Sequence, residues 1–145
     1  MGLFDKVLGS SSDKLSEAEG LAGIALCAIA ADGMITGEEA AGLGTTLSRM
    51  KLFQGMSGRQ MNATFEKLAR VAREKGVDEL MARSAAAVPG DLRATAFAVA
   101  ADLLFADGDV AESERKFLEK IQKSLGVADD LAVRIVEVMA IKNKG

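Results

Sequence analysis

The feature that most constrains this chain is a corner that occurs twice. Ala30-Ala31-Asp32-Gly33-Met34-Ile35-Thr36-Gly37-Glu38-Glu39 returns as Phe105-Ala106-Asp107-Gly108-Asp109-Val110-Ala111-Glu112-Ser113-Glu114. Asp32 and Asp107 are 75 positions apart, as are Gly33 and Gly108, Ile35 and Val110, and Glu39 and Glu114. Each copy follows an alanine-rich apolar run and precedes an amphipathic one. That pattern calls for two related helical hairpins, each turning at an acidic elbow.

Composition agrees with helices. The chain of 145 residues suits one domain with a real core. It is 49% apolar but only 4% aromatic, with no Trp, Tyr or His. A core of Ala, Leu, Val, Ile and Met favours close-packed helices, because strands prefer β-branched and aromatic types in alternation. A net charge of −3 argues against general attraction to nucleic acid or anionic lipid. The single Cys27 cannot form an internal disulfide, which suits a reducing compartment. The apolar runs are too short and too charged to span a bilayer, and the start lacks a secretion signal. The expectation is a soluble cytoplasmic protein.

In chain order, residues 1–12 read as an amphipathic peptide and a flexible joint. Leu3, Phe4, Val7 and Leu8 lie on one side, followed by Gly9-Ser10-Ser11-Ser12. The peptide either docks on a partner or membrane surface, or is a first helical turn folded onto its own domain or a frayed end. Residues 13–145 read as that single domain. Ser16 with Glu19 forms a capping box for a helix through Leu21, Ile24, Ala25, Ala28 and Ile29, ending at Asp32-Gly33. Gly20 and Gly23 allow a neighbouring helix to approach closely.

Thr36 with Glu39 opens a second helix through Leu43, Leu47 and Met50, and 53–56 is a loop. Ser57 with Gln60 caps a third, whose inner face is Met61, Thr64, Phe65, Leu68 and Val71. Lys67, Arg70 and Arg73 on its outer face read as solvated charge, since no aromatic interleaves with them. Helices follow over about 78–87, 91–106 and 111–125, the last closed by Gly126. In the second of these, Leu92, Ala96, Val99, Leu103 and Ala106 share the inner face. A final helix over 129–142 turns Leu131, Ile135, Val138 and Met139 inward. The fold expected is all-α, a compact bundle of about seven helices holding two pseudo-repeated hairpins.

Two readings of the elbows stand side by side. Capping chemistry alone accounts for Gly33, Thr36 and Glu39. Yet Asp32 and Asp107 fall at helix C-termini, where unpaired carbonyls disfavour a carboxylate. Ala111 also cannot complete a box, although Glu114 is present. A cation drawing on carboxylates and helix-end carbonyls answers both points. Such hard oxygen donors suit Ca²⁺ or Mg²⁺, not Zn²⁺. A standard EF-hand is excluded: its first ligand positions would be Ala28 and Ala30, or Leu103 and Phe105. The candidate metal ligands are Asp32 and Glu39 from one elbow, with Asp107 and Glu114 from the other. Glu38, Asp109 and Glu112 would lie at the rim.

The paired ADG-x-(I/V)-x-x-x-E segments, Ala31–Glu39 and Ala106–Glu114, resemble the signature of the TerB-like domains of bacterial tellurite resistance. Leu3-Phe4-Asp5-Lys6-Val7-Leu8-Gly9, Cys27-Ala28 and Lys116–Gly126 add to the likeness, while residues 51–90 match in helical character alone. The resemblance implies an all-helical domain with an acidic divalent-metal surface, acting with TerC-type membrane partners in chemical and metal stress. Residue by residue it points to Asp32, Glu39, Asp107 and Glu114.

The expectation is therefore a non-enzymatic metal-binding module. The alternative is a metal-independent scaffold that docks on a membrane or cytosolic partner. No His serves acid–base work, and no nucleophile elbow or phosphate-cradling loop is present. Cys27, among Leu26, Ala28 and Ile29, reads as an inert buried thiol.

Overall fold

The computed structural model describes residues 14–30, 37–106 and 110–144. Among these lie seven α-helices and no strand: α1 (Glu17–Ile29), α2 (Gly37–Ser48), α3 (Gly58–Lys75), α4 (Val77–Ala87), α5 (Arg93–Phe105), α6 (Glu112–Leu125) and α7 (Asp129–Lys142). Single 3₁₀ turns at Lys51–Phe53 and Gly90–Leu92 precede α3 and α5. Phe53, expected in a loop, belongs to the first of these turns and is buried in the core. The peptide at residues 1–12 lies outside the described residues.

The caps read from the sequence form where their residues are described. Ser16 Oγ accepts from the Glu19 amide at 3.1 Å, and Glu19 Oε1 accepts from the Ser16 amide at 2.8 Å. Ser57 and Gln60 repeat the arrangement at 3.1 and 2.8 Å. Each box satisfies two amides that a helix start leaves unpaired. Gly126, at φ 69°, takes the left-handed conformation that ends α6.

α1 is the centre of the bundle. Every residue from Gly20 to Ala28 is buried, as befits a helix that is apolar all round. α4 and α5 pack along it, with α3 and α2 completing its surround. The α1–α4 crossing depends on glycine. A Cβ on Gly20 would lie 2.8 Å from the Ala87 Cβ and 2.9 Å from the Ser84 carbonyl oxygen, and one on Gly23 would overlap the Ser84 hydroxyl.

These contacts fix directions. Gly20 faces Ala87 while Cys27 Sγ faces the Val77 carbonyl, so α4 runs antiparallel to α1. Arg93 reaches Ala85 and Val88 at the end of α4 and Leu125 at the end of α6, while Lys120 pairs with Asp78 at the start of α4. Hence α6 runs parallel to α4, and α5, which it follows, runs parallel to α1. The chain leaves α1 at Ala30 and α5 at Ala106 on the same end of the bundle.

Two faces differ from expectation. α5 buries Ala96, Phe97, Ala100, Ala101 and Leu104, whereas Val99 and Leu103 are half-buried and Ala106 is exposed. α5 is apolar on nearly every side, so spacing alone could not choose its inner face; contact with α1, α6 and α7 chooses it. On α7 only Ala132 is fully buried, and Val138, expected inward, is 57% exposed. This helix packs on α5 from one side, and its apolar surplus is left outside.

Lys67, expected on a solvated face, is half-buried and pairs with Glu19 at 3.1 Å. Burial pushes the Glu19 carboxyl upward, but the Ser16 amide and Lys67 outweigh it, so the group titrates below its ordinary value of 4.5. A lowered carboxylate contributes stability that is complete above pH 4.5 and is lost as pH falls through the lower, folded value. Glu19→Gln keeps an acceptor for the Ser16 amide but loses the charge. Urea titrations should find it less stable than the parent by up to about 1 kcal/mol at neutral pH, with the gap closing in acid. At the crossing, Gly23→Ala should cost about 1–3 kcal/mol by overpacking. Ser84→Ala should be neutral or stabilising, because the buried Ser84 hydroxyl has no hydrogen-bond partner among the described residues.

Candidate metal centre at the helix elbows

The elbows can be followed up to their edges. At the first, the Ala30 amide closes α1 by donating to the Leu26 carbonyl at 3.0 Å. Asp32 lies outside the described residues. α2 then opens with Glu38 and Glu39, both exposed in its first turn, where the helix dipole favours carboxylates. At the second elbow α5 ends at Phe105, and Asp107 and Asp109 lie outside the described residues. Val110 is half-buried, and α6 opens with Glu112 and Glu114 in its first turn.

Glu114 has a definite task. Its Oε1 accepts from the Ala111 amide at 3.1 Å, which is the backward half of a capping box. Ala111 has no side-chain oxygen for the forward half. The presence of Glu114 therefore follows from capping without a cation, which removes one of the two reasons for expecting an ion here. Its Oε2 accepts nothing from the described residues. Glu112 pairs only loosely with Lys116, at 3.9 Å on an exposed face.

Of the four candidate ligands, the structure describes Glu39 and Glu114, one at the start of α2 and one at the start of α6. No group of three or more Asp, Glu, Cys or His side chains converges among the described residues. Glu39 and Glu114 supply hard oxygen donors of the kind that Ca²⁺ and Mg²⁺ take.

No family model, curated protein or solved structure matches this chain. The likeness to TerB-like domains rests on the paired Ala31–Glu39 and Ala106–Glu114 segments and their flanking residues alone. Among the described residues, no helix is long and apolar enough to cross a membrane.

Sequence reasoning missed two features elsewhere. Arg93 donates to Val88 O at 3.3 Å, Leu125 O at 3.0 Å and Ala85 O at 3.5 Å. One guanidinium thus meets the carbonyl ends of α4 and α6, where a cation is favoured. Nothing local in the sequence marks it. The second is an open apolar groove of about 530 Å³ between α5, α6 and α7, lined in part by Phe97, Phe105, Val110, Leu118 and Val136. Its only signal in the sequence is that α7 carries more apolar residues than one face can hold.

Cys27 is fully buried against α4, 4.0 Å from the Val77 carbonyl oxygen. Burial, aided by the negative charge of Asp78, pushes its thiol up to about 12. The thiolate needed for nucleophilic or redox chemistry is therefore negligible near neutral pH. Iodoacetamide should leave the native protein unlabelled and modify Cys27 fully in denaturant, as read by intact mass. Rapid labelling of the native fold would return Cys27 to the list of reactive groups.

Proposed function

We propose that this chain is a non-enzymatic divalent-metal-binding module of a bacterial tellurite and chemical-stress response. Asp32 and Glu39 from one elbow, with Asp107 and Glu114 from the other, hold Ca²⁺ or Mg²⁺. The observation that supports this reading is directional: α1 and α5 run the same way, so Ala30 and Ala106, each the last described residue before a copy of the acidic motif, lie at the same end of the bundle. Carboxylates at two helix C-termini repel the adjacent carbonyls, and a cation between them turns both repulsions into attraction. The loaded surface then serves a protein partner, for which the likeness to TerB-like domains suggests a TerC-type membrane protein at the cytoplasmic face.

A second reading has its own support. Glu114 is already employed as a cap, and α7 presents Val133, Val138 and Ile141 to solvent. Both features suit a metal-independent scaffold.

Thermal melts separate the two. A ligand at a hundred times its dissociation constant stabilises a fold by about 2.7 kcal/mol. For a domain of this size that raises Tm by several degrees. Saturating Ca²⁺ or Mg²⁺ should produce that rise, and Asp32→Asn with Asp107→Asn should abolish it. Glu114→Gln is the sharper variant. Its amide oxygen keeps the bond from Ala111, so the metal-free Tm should hold while calorimetry reads weaker binding. A Tm indifferent to both ions sinks the metal reading in favour of the scaffold.

A further inference from the structure

α7 carries every large apolar side chain that is exposed among the described residues: Val133 at 54%, Val138 at 57% and Ile141 at 72%. Successive helical residues turn by about 100°, which sets Val133 and Val138 about 140° apart with Asp130, Arg134, Glu137 and Ile141 between them. All six are exposed, so they form one outward strip. Arg134 and Glu137 are one turn apart, yet neither has an ion-pair partner among the described residues. A strip that mixes apolar groups with unpaired charges of both signs suits neither a purely acidic nor a purely basic partner.

The strip is complementary to its own reverse. About a twofold axis at the middle of α7, between Ile135 and Val136, Arg134 comes opposite Glu137 of a second copy, and Glu137 opposite that copy's Arg134. Val133 comes level with Val138 of the second copy. Ile141 comes level with Asp130, with Val133 and the aliphatic stem of Arg134 of that copy within one turn. The acidic first turn, Asp129 and Asp130, lies toward the end that carries Lys142 and Lys144, and the two helix dipoles are opposed. A parallel pairing would instead set Arg134 against Arg134 and Glu137 against Glu137. We propose that two copies of this chain associate through antiparallel α7 helices, in an isologous contact built on two Arg134–Glu137 pairs.

The groove between α5, α6 and α7 opens beside the strip and shares Val133 and Glu137 with it, so the second copy borders its mouth. The contact is small. α7 has 14 residues and is about 21 Å long. A stable interface buries about 800 Å² per partner, more than one helix pair of this length supplies. The dimer is therefore a weak one that forms with rising concentration. It makes no use of the elbows, and its test is separate from that of the metal reading.

Sedimentation equilibrium of the full chain without added metal, carried up to about 1 mM, tests this. The mass should rise from the 15.1 kDa of one chain toward twice that value. Arg134→Glu and Glu137→Arg should each raise the dissociation constant about tenfold or more, because each puts two like-charged contacts in place of two ion pairs. Both positions are exposed, so the helical circular dichroism should not change. An equimolar mixture of the two variants sets an all-acidic strip against an all-basic one and should dimerise at least as tightly as the parent. A chain that stays monomeric throughout overturns the proposal and leaves α7 to a different partner. A dimer that both variants leave intact, or a mixture no tighter than either variant alone, overturns it too, since the contact then lies elsewhere or in another register.

Discussion

The α1–α4 crossing sets the rest of the structure. Because Gly20 and Gly23 present no side chain, Ser84 and Ala87 enter to backbone distance, and α4 lies antiparallel against a helix buried on every side. That direction carries through Arg93 and the Lys120–Asp78 pair to α6, and from α6 back to α5. Were the two helices held apart by a methyl group at each glycine, the core residues Leu21, Ile24 and Leu68 would lose their close packing. The end of the bundle where α1 and α5 finish depends on a contact made some distance from it.

Around that crossing the polar groups act mainly as fasteners. Arg93 joins the ends of two helices, Gln122 joins the α6–α7 turn by donating to Val127 O at 3.0 Å and Asp129 at 2.6 Å, and Asp102 holds Asn143 and Lys142 at the end of α7. Most lie at helix termini, where unpaired backbone groups and dipole ends make a charge or an amide most effective. Glu19 does double work, capping α1 and anchoring α3 through Lys67. Glu114 follows the same logic at α6, which is why capping and metal binding predict the same residue there. The two readings part only at Asp32 and Asp107, where capping offers no role and a cation does.

How the apolar surface is shared out separates α1 from α7. Both are rich in apolar residues, yet α1 packs against α2, α3, α4, α5 and α6, whereas α7 leans chiefly on α5. The surplus on α7, together with the gap beside α6, makes the groove.

Much of this was legible in the residues taken one after another. Helix number, the Ser16 and Ser57 caps, the stop at Gly126, the close approach at Gly20 and Gly23 and the burial of Cys27 follow from local rules, because capping, left-handed glycine and apolar spacing act within a few positions. The doubling of the Asp–Gly corner was legible in the same way. Which face of α5 is buried was not: nearly every side is apolar, and only the positions of α1, α6 and α7 decide. The exposure of Val138, the pairing of Lys67 with Glu19, the reach of Arg93 to two helix ends and the common direction of α1 and α5 are likewise tertiary. Each depends on groups far apart in the chain, brought together by packing that no local pattern encodes.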